Sequence, residues 1–195
     1  MNKLKSLLLS ACLAVSLLAG CAGPYKGQTV EQICPAGLDK QQAMQIAEDV
    51  LGKLQFTIAK SDADLGVIKT SPLAGAQFFE FWRKDNVGAF SVAESSMHSI
   101  RRIAELNITQ QGSQLCIHCN VNTQRLRLPE REIRSNSRAY GMFSQSGPST
   151  QRLIINPGQK ESMSWVDLGS DSKLATVILK RIEKKIAKMQ KGKSL

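Results

Sequence analysis

The spacing of apolar side chains predicts a helix at each end of the folded region. Between residues 39 and 54, apolar residues recur every three or four positions, which places them on one face of a helix. Asp39 precedes this run and Gln42 follows three residues later, the arrangement of a capping box. A second run with the same period covers residues 170–190. We expect both segments to be amphipathic helices that pack on a common core.

Strict alternation of apolar and polar residues predicts strands between the two helices. The pattern over residues 100–128 indicates a long antiparallel hairpin with one buried face and one exposed face. Shorter alternations predict a hairpin at 55–70 and a third strand at 77–83, whereas 84–99 is predicted to be mostly loop with a brief strand at 88–93. The predicted fold class is α+β: a two-layer sandwich with the N-terminal and C-terminal helices on one face of an antiparallel sheet.

The predicted third strand carries aromatic side chains on both of its faces. Phe78 and Trp82 would point to one side, and Phe79 and Phe81 to the other. Either both faces are covered, by the core and by a later insertion, or one face is an exposed aromatic surface. An exposed aromatic surface beside Arg83 would suit a protein or glycan partner.

A polar stretch interrupts the single α+β domain that we predict for residues 39–192. Residues 129–164 contain few aliphatic side chains, and only 153–155 look like a strand. Loops of this length are uncommon inside compact domains. We therefore interpret 129–164 as a functional insertion or as a region that includes one short strand.

The N-terminus has the organisation of a signal peptide. Lys3 and Lys5 precede an uncharged apolar stretch at 6–18, which is too short to span a bilayer. The stretch ends in Leu18-Ala19-Gly20-Cys21, which resembles the lipobox of bacterial lipoproteins. The resemblance implies removal of residues 1–20 by cleavage between Gly20 and Cys21. The alternative is an ordinary secretory signal followed by a chance cysteine.

The same resemblance implies that Cys21 carries the lipid anchor. A thiol is the nucleophile that a diacylglyceryl donor can alkylate. In lipoproteins of this kind, an Ala at position 22 implies delivery to the outer membrane, facing the periplasm. Residues 21–38 are rich in Gly and Pro and show no periodicity, so they are predicted to be a lipidated tether. We therefore expect the chain to contact the membrane through its lipid anchor.

The charge of the chain is strongly basic and uneven. There are 26 Lys and Arg against 16 Asp and Glu, a formal net charge of +10. Such a balance usually indicates nucleic acid or an anionic membrane as a partner, and the expected location excludes nucleic acid. The C-terminal helix carries the candidate anionic-surface residues Lys180, Arg181, Lys184, Lys185 and Lys188. The alternative is that they form the solvated outer face of a packed helix.

Three cysteines remain in the expected mature chain: Cys34, Cys116 and Cys119. The periplasm is oxidising, which favours a disulfide. Cys116 and Cys119 cannot pair within one strand, because residues three apart are separated by about 10 Å and disulfide reach is about 7 Å. The alternatives are a bridge from Cys34 to one of them, three free thiols, or a metal or redox role. Alternation places Cys119 on the core face.

Motifs of catalysis are missing from the sequence. There is no HExxH, GxSxG, Walker A or GxGxxG motif. Residues 170–173 formally match S-x-x-K, but Ser170 or Asp171 is better placed to cap the last helix. His98 and His118 lie in polar surroundings without an acidic partner nearby, so we expect both to be exposed. The sequence predicts no enzyme, no cofactor and no metal site.

The order of a lipidated tether, a helix, antiparallel strands and a C-terminal helix is similar to that of accessory lipoproteins of outer-membrane assembly machines, such as the BamC type. The similarity covers residues 39–190. It implies a protein partner in the envelope and a non-catalytic role in scaffolding or assisting an assembly complex. The alternative is a binding module for an anionic envelope ligand, such as lipopolysaccharide or peptidoglycan fragments.

Overall fold

A computed structural model of the protein describes residues 28–112, 114–127 and 163–193. The predicted signal peptide and almost all of the predicted insertion, including its candidate strand at 153–155, lie outside the described residues. Among the described helices, none combines the length and the apolar character needed to cross a membrane. The elements are β1 (Gln32–Ile33), α1 (Lys40–Lys53), β2 (Ile58–Asp62), β3 (Val67–Thr70), β4 (Leu73–Ala74), α2 (Ala89–Met97), β5 (Ile100–Gln111), β6 (Gln114–Arg127), β7 (Ser164–Ser170) and α3 (Ser172–Lys193).

All described strands belong to one antiparallel sheet. Its order is β1-β6-β5-β3-β2, with β4 added beside β5 and β7 added beside β6. The long β5–β6 hairpin is the centre of the sheet, and its register extends from Ile100 opposite Arg125 to Gln111 opposite Gln114. The β2–β3 hairpin pairs with β5 through β3. Both predicted hairpins and the predicted α+β class are confirmed.

The helices α1 and α3 cover the same face of this sheet. Alternate residues of the central hairpin point toward the helices, as the alternation predicts, and pack in one cluster with the apolar stripes of both helices. The strand residues of the cluster that are at most 5% exposed are Ile68, Ala104, Leu106, Ile108, Leu115, Ile117, Cys119 and Val121. The two-layer arrangement with both helices on one face is therefore confirmed.

Both terminal helices begin at a side-chain cap. The Asp39 carboxylate accepts a hydrogen bond of 2.7 Å from the backbone N–H of Gln42. At α3, an Asp171 carboxylate oxygen accepts one of 2.9 Å from the backbone N–H of Leu174. These bonds satisfy backbone donors that have no partner inside a helix. The predicted caps are thus confirmed, with Asp171 rather than Ser170 at the second helix.

The predicted third strand at 77–83 is wrong. This segment forms two successive tight turns, in which the N–H of Glu80 donates to the carbonyl of Gln77 and the N–H of Arg83 donates to the carbonyl of Glu80, both at 3.0 Å. The Glu80 carboxylate also accepts a 2.7 Å hydrogen bond from the N–H of Gln77. These local bonds use backbone groups that would otherwise pair with a neighbouring strand. The alternation of side chains at 77–83 therefore does not correspond to a strand.

Further differences surround the central hairpin. The predicted tether at 21–38 is too long, because β1 pairs with β6 from Gln32 and Cys34 is bridged to Cys116. The brief strand predicted at 88–93 is wrong, since Ala89–Met97 form the helix α2. The strand β7 was not predicted, and it delays the start of the last helix from 170 to Ser172. Most β7 side chains are exposed, because this strand lies beside β6 at the rim of the sheet. A strand without a buried face carries no alternation of apolar residues that could reveal it.

Candidate docking surface

Four aromatic side chains protrude from the two tight turns at 77–83. Phe78, Phe79, Phe81 and Trp82 have exposed fractions of 73%, 58%, 79% and 61%. They form two edge-to-face pairs, Phe78 with Phe79 and Phe81 with Trp82, with ring centroids 5.4 and 5.2 Å apart. Among the Phe and Trp residues that the structure describes, only Phe56 lies in the core. We call these four residues the aromatic turn; of the two alternatives from the sequence, an exposed aromatic surface is the one observed.

A buried ion pair fixes the C-terminal end of the aromatic turn. The guanidinium of Arg83 donates to both carboxylate oxygens of Asp85, with Nε–Oδ1 and Nη2–Oδ2 distances of 2.9 Å. Asp85 is only 1% exposed, and its Oδ2 also accepts a 3.1 Å hydrogen bond from the N–H of Ala76. Two-pronged pairs of this kind hold a fixed geometry as well as a charge. The chain is therefore clamped on both sides of the aromatic residues.

A second arginine, Arg102, lies beneath this pair and was not predicted from the sequence to be important. Arg102 is on the core-facing side of β5 and is 1% exposed. Its Nε donates to Asp171 at 3.3 Å, its Nη1 donates to Asn86 at 2.8 Å, and its Nη2 donates to Ser91 at 2.6 Å. The Nη1 atom is also 3.8 Å from Asp85. We call Arg83, Asp85, Arg102 and Asp171 the ionic cluster.

The ionic cluster joins four parts of the fold at one place. Through Arg102 it connects β5 to the loop at Asn86, to α2 at Ser91 and to the N-terminal cap of α3 at Asp171. A Cβ on Gly75 would lie 2.5 Å from the Ser95 side chain, so only glycine fits where the chain passes the cluster. The signal in the sequence was a charged residue at a core position of an otherwise alternating strand.

The helix α2 adds to the same structural unit. The N–H of Phe78 donates to the Ser96 hydroxyl at 3.0 Å, and the side-chain amide of Gln77 donates to the Ser95 carbonyl at 2.9 Å. Phe90 and Met97 are exposed and lie seven residues apart, which is about two helical turns. The aromatic turn is thus supported by a helix that presents apolar side chains of its own.

A cavity of about 260 Å³ lies beside Phe90, between α2 and the start of α3. Arg102 is among its lining residues, together with Lys173 and Glu94. All three nitrogen atoms of the Arg102 side chain already donate hydrogen bonds within the protein. Its guanidinium therefore acts as a structural tie, with its charge directed to Asp85 and Asp171.

The cysteines divide into one bridge and one thiol. Cys34 forms a disulfide with Cys116, with a Cα–Cα distance of 4.1 Å, so a bridge from Cys34 to one of the pair is confirmed. Cys119 is free and buried on the core face, as predicted, and burial raises the pKa of its thiol to about 12. Because Cys116 is bonded to Cys34 and Cys119 is buried on the other face of the strand, Cys116 and Cys119 do not form a redox pair. His98 and His118 are exposed, as expected.

Within the described ranges, no group of three or more His, Cys, Asp and Glu residues is arranged to hold a metal ion. The predicted signal-cleavage and lipidation positions, Gly20 and Cys21, lie outside the described residues.

The five candidate cations on α3 fall on two sides of the helix. Arg181, Lys184, Lys185 and Lys188 line a groove between α3 and α1, whereas Lys180 lies on the side facing Ile33 and Cys34. In the groove, Lys185 bonds to the Asp49 carboxylate, which also pairs with Lys53 at 2.9 Å. The hydrogen bonds from Lys185 and then Lys53 hold the pKa of Asp49 below its usual value.

No protein-family model matches the chain, and no curated protein matches its sequence.

Proposed function

We propose that the protein is a non-catalytic lipoprotein of the outer membrane, anchored through Cys21 and facing the periplasm, that scaffolds or assists an envelope assembly complex. It does so by docking a protein partner on the aromatic turn. The observation that carries the proposal is the exposure of four aromatic side chains on turns that a buried ionic cluster holds in place.

The composition and the rigidity of the aromatic turn both support a protein partner. The buried cores of protein interfaces are enriched in Tyr, Trp and Phe, and Trp is one of the residues that most often act as hot spots. Full burial of one such side chain is worth about 1.5–3 kcal/mol in transfer free energy. Because the ionic cluster already orders the backbone, docking would lose little conformational entropy. Four adjacent aromatic anchors can therefore form the central hot spot of a protein interface.

The position of the tether supports a partner that lies close to the membrane. The N–H of Val30 donates to the Thr176 hydroxyl at 2.9 Å, so the chain enters the domain beside the second turn of α3. Asp171, which caps that end of α3, is bonded to Arg102 of the ionic cluster. The tether and the base of the aromatic turn thus share one end of the domain.

Cys21→Ser is expected to abolish lipid attachment and to leave the precursor uncleaved, because a hydroxyl is a far weaker nucleophile than a thiol toward the diacylglyceryl donor. Metabolic labelling with a fatty-acid analogue, followed by mass measurement of the purified chain, reads out both events. Cys12→Ser, a change of the same kind within the apolar stretch at 6–18, serves as the matched control and should be labelled and processed normally. Normal labelling of the Cys21→Ser variant would rule out the anchor.

Substitution of the aromatic turn is expected to remove the protein partner while leaving the domain folded. Each anchor truncation costs about 1–2 kcal/mol or more, so Phe81→Ser with Trp82→Ser should lower partner recovery at least roughly tenfold. The measurement is affinity purification from detergent-solubilised envelopes at high salt, where charge-driven retention is screened.

The control for this experiment is Leu65→Ser, because Leu65 is an apolar side chain that is 65% exposed on the β2–β3 turn. It should leave partner recovery unchanged. If the double aromatic variant recovers the same proteins in the same amounts as the wild type, the aromatic turn is not the docking site.

A further inference from the structure

The groove between α1 and α3 combines hydrocarbon walls with a cationic rim. Its volume is about 300 Å³, and Val50, buried between the two helices, contributes to its apolar surface. Long basic side chains can lay their hydrocarbon stems along such a surface and keep their charged heads at the rim. We call this the basic groove, and its lining residues are Asp49, Val50, Lys53, Arg181, Lys184, Lys185 and Lys188.

The spacing of its cations is unfavourable for the helix that carries them. Arg181, Lys184, Lys185 and Lys188 follow the i, i+3, i+4, i+7 pattern, so they crowd together on one face of α3. Like charges at this spacing destabilise a helix by a few tenths of a kcal/mol per pair. A stripe that opposes local stability in this way points to a role outside the fold.

Asp49 offsets only part of this charge. Its carboxylate bonds to Lys53 and Lys185, and these bonds keep it ionised. Within the described part of the chain, no carboxylate pairs with Arg181, Lys184 or Lys188. With five cations and one anion, the basic groove keeps a net charge of +4 (5 − 1).

We propose that the basic groove binds the phosphate headgroup of an anionic phospholipid of the membrane to which the chain is anchored. The phosphate would contact the unpaired cations of α3, and the glycerol and first acyl carbons would contact Val50 and the hydrocarbon stems. The proposal rests on the proposed anchoring, but it concerns a different surface from the aromatic turn.

A lipid is favoured over a free phosphate for two reasons. The walls of the basic groove are largely hydrocarbon, which an inorganic anion cannot use. Only eight residues lie between Cys21 and Val30, which is bonded to Thr176 of α3, and a fully extended chain of that length spans about 30 Å. An anchored domain on so short a tether stays within reach of the bilayer surface at all times.

The test is a lysine footprint of the full chain, purified from membranes and reconstituted into lipid nanodiscs. A lipidated Cys21 or an uncleaved apolar segment inserts the chain into the nanodisc. A chain cleaved as an ordinary secretory protein is instead added from solution to preformed nanodiscs, so the groove is tested even where the anchor assignment fails. Nanodiscs of phosphatidylcholine alone are compared with nanodiscs that also contain phosphatidylglycerol. Amine acylation followed by mass spectrometry reports the reactivity of each lysine.

We expect Lys184, Lys188 and Lys53 to react about fivefold more slowly in the phosphatidylglycerol nanodiscs, with recovery at high salt. Lys60 and Lys69, which are exposed on the sheet, are the internal controls and should keep their reactivity. Asp49→Asn should strengthen the protection, because it removes the one carboxylate that competes with the lipid phosphate. If the groove cations only packed against the fold, the reactivity of these lysines would not depend on the charge of the lipid.

Three results would overturn the proposal. The first is equal reactivity of the groove lysines in the two kinds of nanodisc. The second is equal protection of Lys60 and Lys69, which would indicate non-specific attraction of the whole domain to the anionic surface. The third is full protection by inorganic phosphate in phosphatidylcholine nanodiscs, which would assign the groove to a free anion.

Discussion

Arg102→Met is expected to lower the free energy of unfolding by about 3–5 kcal/mol, which is typical when one partner of a buried ion pair is removed. Methionine keeps most of the volume of the side chain but leaves the nearly inaccessible Asp85 carboxylate with less compensation. It also removes the hydrogen bonds that Arg102 donates to Asn86, Ser91 and Asp171. Urea unfolding followed by circular dichroism measures the change, as a lower midpoint at an unchanged slope.

Arg101→Met is the matched control, because Arg101 is the neighbouring residue on the opposite face of β5. Its guanidinium stacks over the ring of Trp165, with the central carbon 3.8 Å from the ring centroid, and donates to Gln124 at 2.7 Å. Cation–π contacts at accessible sites are worth about 0.5–1 kcal/mol, so the control should lose about 1 kcal/mol. If the two variants lost the same free energy of unfolding, the buried ionic cluster would contribute no more to stability than an exposed arginine contact does.

Removal of the disulfide is the second large effect that we expect. The Cys34–Cys116 bridge joins residues separated by 82 positions, and in the chain-entropy model a loop of that length stabilises the folded state by about 4.5 kcal/mol. Measured losses for natural disulfides of this kind are about 2–5 kcal/mol. Cys34 is exposed, so Cys34→Ala should remove the crosslink with little loss of packing. Urea unfolding of the variant and of the reduced wild type should give the same lowered midpoint.

Cys119 supplies the control for the disulfide. Its burial in the core and its raised pKa, about 12, predict that it resists alkylation in the native protein at neutral pH. The wild type should therefore take up no alkylating reagent before reduction and should take it up at Cys119 only on unfolding.

Because the folded-state pKa is raised, the contribution of Cys119 to stability is present below about pH 9 and is lost as the pH rises toward 12. If the urea midpoint of the wild type were the same with and without reductant, the disulfide would not stabilise the folded state.

The periodic parts of this fold could be predicted from the sequence because each has one buried face. The alternation around Leu106 and Ile117 defines the central hairpin, and the helical spacing from Leu174 to Ile186 defines α3. The strand β7 has no such face, and its pairing with β6 depends on backbone hydrogen bonds that leave no pattern in the side chains. Elements of this kind escape prediction from periodicity alone.

The aromatic turn shows how a local pattern can mislead. Phe78, Glu80 and Trp82 alternate with Phe79 and Phe81 as strand residues would, but the Glu80 side chain and the backbone bonds of the turns determine the conformation. The exposure of the aromatic rings then follows from the clamp at Asp85. A high local content of aromatic residues does not by itself distinguish a buried strand from an exposed turn.

The choice between the two disulfide partners of Cys34 depends on a strand register. Ile33 lies opposite Ile117, so the next residue along β1 lies beside Cys116 and away from Cys119. A shift of the register by one residue would turn the opposite face of β1 toward the core. Sequence spacing restricts Cys34 to two partners, and only the pairing of β1 with β6 selects one of them.

Site-specific photo-crosslinking in intact cells tests protein docking on the aromatic turn most directly. A photoreactive amino acid placed at position 81 in the aromatic turn is compared with the same amino acid at position 65, which is also apolar and exposed. We expect one discrete crosslinked envelope protein, identified by mass spectrometry, at position 81 and none at position 65. Crosslinks to the same protein from both positions, or to lipid alone from position 81, would show that the aromatic turn is not a protein docking site.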